Sequence, residues 1–351
     1  SGMGSGSGLG RRGPWEGGAG MSRRADLTVR GAGVLGLSVA WEALRRGLRA
    51  RVVDPGGPGA GASGGVVGAL SPLPPDGWDE GRALQLEALM MAPAWWAGAA
   101  AAGGADPGYA RTGRLMPLPD EAAVARARRR GAEAARRGWA WEVVEAGGPL
   151  APLSPTGLLA RDALAARVDP RRAVAALVAA IRARGGEVVA EAPEEGIVVE
   201  ATGAAGLAAR GLGGGVKGQA ARLRLPGVER EPQAYAGGLY VVPHADGTVA
   251  VGSTSEAEWV SEGPDGLLDD VVARARALVP ALAAAPVLER WAGLRPRARG
   301  GRMVLGEAAP GRWVANGAFR TGFALAPLAA RLLLDALEGR GAVPASWRPP
   351  P

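Results

Sequence analysis

The sequence predicts an α/β chain in which a doubly wound, mostly parallel sheet is interleaved with an α+β unit built on antiparallel strands. Three observations carry this prediction. A strand, a glycine turn and an amphipathic helix follow one another from Asp26. A second apolar strand runs into a glycine turn at EGIVVEATGAAG, and GLYVVPHADGTVAVGST alternates with period two on both sides of a turn. With 351 residues, 47% of them hydrophobic, the chain can fill one large or two interlocked domains.

The elements follow in order. In DLTVRGAGVLGLSVAWEALRRGLRARVVDP, Leu27 and Val29 make a strand and Leu37 to Leu44 supply apolar positions at helical spacing. Gly47 stops the helix, and Ala50 to Val53 return as a parallel strand. Residues 78–104 and 121–138 read as helices rich in Ala, Leu, Met and Trp, separated by the strand-and-turn stretch ARTGRLMPLPDE. A third helix, from Pro170 to Arg184, ends at Gly185 and Gly186 and leads through short strands to the ATG turn. Asp246-Gly247 is a hairpin signal. After a helix from Leu267 to Leu278 come further strands, a glycine-rich turn at 317–322 and a last apolar helix.

Composition excludes several chemistries. With no cysteine there is no disulfide framework, thiol nucleophile or cysteinyl link to a cofactor, and one histidine, His244, makes a metal centre a poor reading. No apolar run approaches the length of a spanning helix, so a cytoplasmic location is expected. Residues 1–21, Gly- and Ser-rich and ahead of a second Met at Met21, read as a leader outside the fold. The net charge of +7 raises nucleic acid as a partner. Yet 40 of the 41 basic residues are arginines scattered among Ala, Gly and Pro, and the cluster Arg128 to Arg130 reads as a solvated helix face.

Gly31, Gly33 and Gly36 form GxGxxG. The first permits a tight turn, the second lets backbone approach a pyrophosphate, and the third lets the helix pack on the strand. The motif follows a strand and opens a helix, so Gly31, Gly33, Val34, Leu35 and Gly36 would cradle phosphates at the helix N-terminus. About twenty residues on, Asp54, followed by Pro55, offers a carboxylate to a ribose hydroxyl.

Further blocks narrow the dinucleotide. GAGASGGVVGALSP at 59–72, VVEATGAAG at 198–206, VKGQ at 216–219, YVVPHADGTVAVGST at 240–254, WAGLRP at 291–296 and AFRTGFALAP at 318–327 occur in one order. The chain thereby resembles the D-amino-acid oxidase and glycine oxidase family of flavoproteins, from about residue 26 to 339. The resemblance implies a Rossmann-like FAD-binding domain with an interleaved substrate domain, and non-covalent FAD. It places Ala62, Ser63, Val67, Gly68 and Ala69 on the pyrophosphate and flavin. Thr202 and Gly203 fall in the ATG turn, and Ala318, Phe319, Thr321, Gly322, Phe323 and Ala324 close over the flavin ring. It also implies that Arg295 and Arg320 hold a substrate carboxylate, that Tyr240 assists with its hydroxyl, and that Lys217 occupies a basic family position.

Divided this way, 22–75, 158–216 and 293–341 form the FAD-binding domain and 76–157 with 217–292 the substrate domain, leaving 342–351 as a tail. The expected reaction is oxidation of the C–N bond of a small amino acid or N-substituted glycine, with oxygen as the final acceptor. GASGGVVGALSP also resembles the oxidase domain of a bifunctional tRNA wobble-uridine-modifying enzyme, which makes tRNA the alternative partner. Two departures from the family stand out. Gly300 and Met303 replace its usual Asp and Pro after GLRP, and the segment between Gly186 and the ATG turn is too short for a three-stranded meander. His244, in the hairpin turn, is expected to be exposed.

Overall fold

The computed structural model describes residues 24–350, so the leader expected at 1–21 lies outside the described residues. In chain order the first half forms β1 (Leu27–Arg30), α1 (Val34–Arg45), β2 (Ala50–Val53), β3 (Ala69–Leu70), α2 (Glu80–Gly103), β4 (Arg114–Pro117), α3 (Glu121–Ala135), β5 (Trp141–Glu145), β6 (Leu158–Asp162), β7 (Ala166–Arg167) and α4 (Pro170–Ala183). The second half forms β8 (Glu187–Val189), β9 (Ile197–Glu200), α5 (Gly203–Ala209), β10 (Gly213–Arg224), β11 (Gln233–Ala236), β12 (Leu239–Pro243), β13 (Thr248–Gly252), α6 (Leu267–Leu278), β14 (Val287–Ala298), β15 (Val304–Ala309), β16 (Arg312–Asn316) and α7 (Gly322–Leu337).

One sheet has the order β15-β16-β9-β1-β2-β8 and is parallel except for β15 at its edge. β1 sits in the middle with Leu27 and Val29 fully buried, as a strand covered on both faces requires. α1 is buried from Val34 to Leu44 because it packs between this sheet and α4 and α7. It ends where predicted, with Gly47 at φ 85°. The second sheet has the order β14-β10-β13-β12-β11-β4-β6-β5 and is antiparallel except for β11 beside β4. α6 closes a separate apolar core over it around Leu223, Val241, Val251 and Val272.

The structure corrects several expectations. Leu158–Asp162, assigned to the nucleotide-binding segment, instead pairs with β4 and β5 in the eight-stranded sheet. β14 runs unbroken through residue 293, the expected domain boundary, so Arg295 lies inside a twelve-residue strand. β8 and β9 are single short strands joined by residues 190–196, in keeping with the short segment noted above. The expected tail packs down, with Val343 and Trp347 in the main core. His244 is 1% exposed, because the loop carrying Val66, 178 residues away in sequence, closes over the hairpin turn.

Candidate active site

The glycine turn, Asp54, the ATG turn and residues 317–321 all follow the carboxyl ends of parallel strands, β1, β2, β9 and β16. This is the edge where open α/β sheets bind ligands. Close packing explains two of the glycines. A Cβ on Gly31 would stand 2.3 Å from the Ala201 carbonyl oxygen, and one on Gly36 would stand 2.0 Å from that of Gly31. Gly33 has a different role. It is the N-cap of α1 and brings no side chain to the first turn, which also lacks any acidic residue. A Cβ there would point at Ser63 Oγ, 3.2 Å away, and begin to fill the cradle.

Around this turn the polar groups suit a diphosphate and a ribose. Val34 N donates to Ser63 Oγ at 2.9 Å, while Asp54 accepts from Ala32 N at 2.8 Å and from Gly56 N at 2.9 Å. The carboxylate is thus fixed beside the phosphate site with lone pairs to spare for hydroxyls. Pro55 is exposed. These residues fit FAD. They leave the α1 N-terminus to an anion, as its dipole favours.

The Ser63 loop is pinned on several sides. Ala62–Gly64 form a 3-10 turn, Arg171 Nε donates to the Gly64 carbonyl at 2.9 Å, Val168 N donates to that of Gly68 at 3.0 Å, and His244 Nε2 lies 3.0 Å from that of Val66. Val67 faces Gly252, and Ala69 lies on β3, which pairs with β7. Sequence reasoning missed Asn316, whose Nδ2 donates to the Gly203 carbonyl and whose Oδ1 accepts from Gly317 N, tying the turn at Thr202 and Gly203 to the last one. In that last turn Phe319 is the only non-glycine residue with positive φ, 52°, among the described residues. Its N donates to the Pro296 carbonyl, and Thr321 Oγ1 bonds the Ala318 carbonyl ahead of Gly322, Phe323 and Ala324 in α7. A strained residue held this firmly at the site edge suits a ligand-facing turn.

The register of the second sheet brings Tyr240 and Arg295 to one face. Trp291 pairs with Ala220, Arg295 with Val216, and Tyr240 with Gly252, which in turn pairs with Ala220. Directly paired residues share a face. Gly218, Ala220 and Gly252 form its floor, and Trp291, Arg295 and Tyr240 stand up from it. Arg295 crosses β10 above Gly218, where a Cβ would lie 2.6 Å from its Cζ. Its Nη1 donates to Ser253 Oγ at 2.7 Å and its Nη2 to the Thr254 carbonyl at 2.6 Å, while Nε is buried without a partner. Burial first, then the nearby charge of Arg320, pushes its pKa down to about 10, against a smaller opposing pull from Glu256. It stays charged at neutral pH. Tyr240 packs on Tyr235 with ring centres 4.5 Å apart. Arg320 is exposed, its Cζ 5.2 Å from the Phe319 ring centre.

Lys217 falls on the other face of β10 from Arg295's neighbours. Fully buried, it pairs with Asp265 at 2.6 Å and Glu256 at 3.5 Å, which raises its pKa, the Asp265 hydrogen bond contributing most. With Gln219 it anchors the segment after Thr254. Ser253 and Thr254, just past the end of β13, carry no sequence signal of their own, and only the fold makes them the partners of Arg295.

The family model described as FAD dependent oxidoreductase matches residues 26–336. The chain is 31% identical to the putative thiamine biosynthesis oxidoreductase ThiO of Rhizobium etli, over 88% of this chain and 97% of that protein. It is 28% identical to a glycine oxidase of Geobacillus kaustophilus, over 91% and 94%. With the Pseudomonas aeruginosa glycine oxidase the match is 36% identity over 119 residues, about a third of each chain. In fold it is similar to the glycine oxidase structure from Geobacillus kaustophilus (TM-score 0.81, 23% identity, 93% of this chain and 98% of that one). It is also similar to iminodiacetate oxidase from Chelativorans sp. BNC1 (TM-score 0.79, 23% identity, 92% and 98%). The cradle around Gly33, Asp54 and Ser63 and the match over residues 26–336 lead to one conclusion: the chain belongs to the family of FAD-dependent oxidoreductases.

Proposed function

We propose that the chain oxidises the C–N bond of a small amino acid or N-substituted glycine whose carboxylate docks on Arg295. One observation carries this reading. A half-buried guanidinium lies on the sheet face whose Trp291 packs against Gly65 of the Ser63 loop, bonded only to uncharged groups, with Nε buried and left over. A half-buried arginine of this kind suits an incoming carboxylate, which can accept two parallel N–H bonds. The names of the glycine oxidase relatives agree with a substrate built on glycine.

Bound FAD supplies a two-electron acceptor. The residues of the chain do the rest by position. Arg295 fixes the carboxylate end and Tyr240 offers a hydroxyl on the same face. The substrate loses a hydride from carbon and a proton from nitrogen, and water splits the resulting imine into an oxo acid and an amine. Oxygen then takes the two electrons and two protons as hydrogen peroxide. His244 is spoken for by the Val66 carbonyl, and a neutral amine substrate needs no strong base.

Purified protein should be yellow, with bands near about 370 and 450 nm as for any flavin in a polar protein site, and acid should release the colour. Under anaerobic conditions a panel of amino acids and N-substituted glycines is titrated against those bands. Bleaching by at least one carboxylate-bearing amine supports the proposal. A flavin that no member reduces, in protein that holds FAD, would overturn it.

A further inference from the structure

Lys217 and Glu256 have no part in the reaction proposed above. Lys217 is fully buried on the far face of β10, where its Nζ lies 2.6 Å from Asp265 and 3.5 Å from Glu256. Two carboxylates thus share one ammonium. Gln219, beside it on that face, gives each of them a hydrogen bond from Nε2, at 3.0 Å to Glu256 and 2.7 Å to Asp265, and brings no charge. Part of the negative charge of Glu256 is left for the next cation within reach.

That cation is Arg295. Thr254 stands between the two, its hydroxyl bonded to the Glu256 carboxylate and its carbonyl accepting from Arg295 Nη2 at 2.6 Å. The charges are therefore within about 10 Å of each other, the reach of two hydrogen bonds and one residue, and interact through the protein. Glu256 opposes the effect of burial on the Arg295 guanidinium without bonding it, since Nη1 and Nη2 go to Ser253 and Thr254. Backbone pairing holds Glu256 off. Glu256 and Lys217 exchange two backbone hydrogen bonds, at 2.9 and 3.0 Å, and paired residues share a face. The pairing of β12 with β13 ends opposite Gly252, which leaves the outer edge of residues 253–256 open. The side-chain bonds to Lys217, Gln219 and Thr254 are what keep the carboxylate from turning round that edge to Arg295.

We propose that Glu256 is the resting counter-charge of Arg295 and that Lys217 keeps the two apart, so that the guanidinium has an opposite charge nearby while its remaining donors stay open to a substrate carboxylate. This rests on carboxylate docking at Arg295 and assigns two positioning residues to it. From where it stands, Glu256 repels an incoming carboxylate weakly. Released from Lys217, it would occupy the guanidinium and exclude the carboxylate.

The test uses the FAD-loaded protein and propionate, an unreactive monocarboxylate, read by flavin difference spectra. Glu256→Gln keeps an acceptor for Gln219 and Thr254 and removes the charge. It should bind propionate about threefold to tenfold more tightly, the scale of one charge removed at this distance from a partly screened site. Lys217→Met should bind it about tenfold more weakly, as when one hydrogen bond to a charged group is lost. With both substitutions the affinity should return at least to that of the wild type, because Glu256 no longer competes for Arg295. Residues that only support the fold predict the reverse, and weaker binding in Glu256→Gln or no recovery in the double variant would overturn the proposal. Should Lys217→Met fail to hold FAD, the sign of the change in Glu256→Gln decides alone. Propionate binding that follows this pattern in a protein whose flavin no amine of the panel reduces would sink the oxidase reading and leave the proposal standing. A wild type that does not respond to propionate would sink the docking on Arg295 and the proposal with it.

Discussion

Arg295 is the residue on which the substrate reading turns. Removing one member of a buried, hydrogen-bonded charge pair costs roughly 2 to 5 kcal/mol, so Arg295→Ala should lower kcat/KM on a carboxylate substrate by about thirty-fold to a few thousand-fold while FAD stays bound. Arg295→Lys should recover only part, since an ammonium keeps the charge and loses the planar fork. Steady-state kinetics with FAD measured by absorbance checks both, and a fully loaded Arg295→Ala enzyme with unchanged kcat/KM would remove the residue from the site. His244 makes a different prediction. Burial pushes its pKa down to about 4, with Asp169 opposing and Arg167 and Arg222 assisting. The unfolded chain therefore takes up the proton first. Stability from this group is complete above its ordinary pKa near 6.5 and falls as pH drops toward 4, by about 2 kcal/mol between pH 7 and pH 5. His244→Gln, whose amide can still donate to Val66, should lack that slope in urea melts at the two pH values.

Among the elements, β10 and β14 do the most for the site. Their pairing over eleven residue pairs carries Arg295 across to Ser253 and Thr254, and the crossing depends on Gly218 having no side chain. Gly218→Ala should displace the guanidinium, since the clash is with the end of a flexible side chain. Its KM for carboxylate substrates should rise by about tenfold, the scale of weakening one charge-assisted hydrogen bond, with the melting temperature little changed. Gly36→Ala supplies the contrast, because its Cβ meets backbone at 2.0 Å. Pushing α1 off β1 should cost about 1 to 3 kcal/mol, as overpacking does, and weaken FAD retention with it. A Gly218→Ala protein that melts as early as Gly36→Ala would assign the glycine to folding and not to Arg295.

At the scale of the whole molecule, the site lies where loops from the parallel sheet meet one face of the antiparallel sheet, through Val66, Val67, Ala220 and Trp291. FAD binding there should stabilise both sheets together. At a hundredfold excess over Kd the gain is about 2.7 kcal/mol, a rise in Tm of roughly 4 °C for a chain this size. Apo and FAD-loaded protein compared by thermal melting test this, and two separate transitions with only one moved by FAD would contradict it. The charge of the chain is dispersed at this scale, since many arginines, Arg46, Arg130, Arg222 and Arg312 among them, face carboxylates. No helix among the described residues is long and apolar enough to cross a membrane.

The nucleotide-binding part was legible in the sequence because its chemistry is local. Gly31, Gly33 and Gly36 act within one turn, Asp54 ends the next strand, and the spacing between them is set by one helix and one strand. The hairpin at Asp246-Gly247 and the helix Leu267–Leu278 were legible for the same reason, each being set by its own period and turn residues. What tertiary structure decided lies between residues far apart in the chain. β6 joined the eight-stranded sheet because its neighbours there are β4 and β5, a pairing that period two alone cannot assign. His244 is buried because a loop from the other sheet covers it, and Arg295 is held by Ser253 and Thr254 because of strand register. The gathering of Arg295, Arg297 and Arg320 around Phe319 needed the last turn to fold back onto β14. Local spacing determines which groups one turn can offer, and only the packing of sheets determines which of them meet.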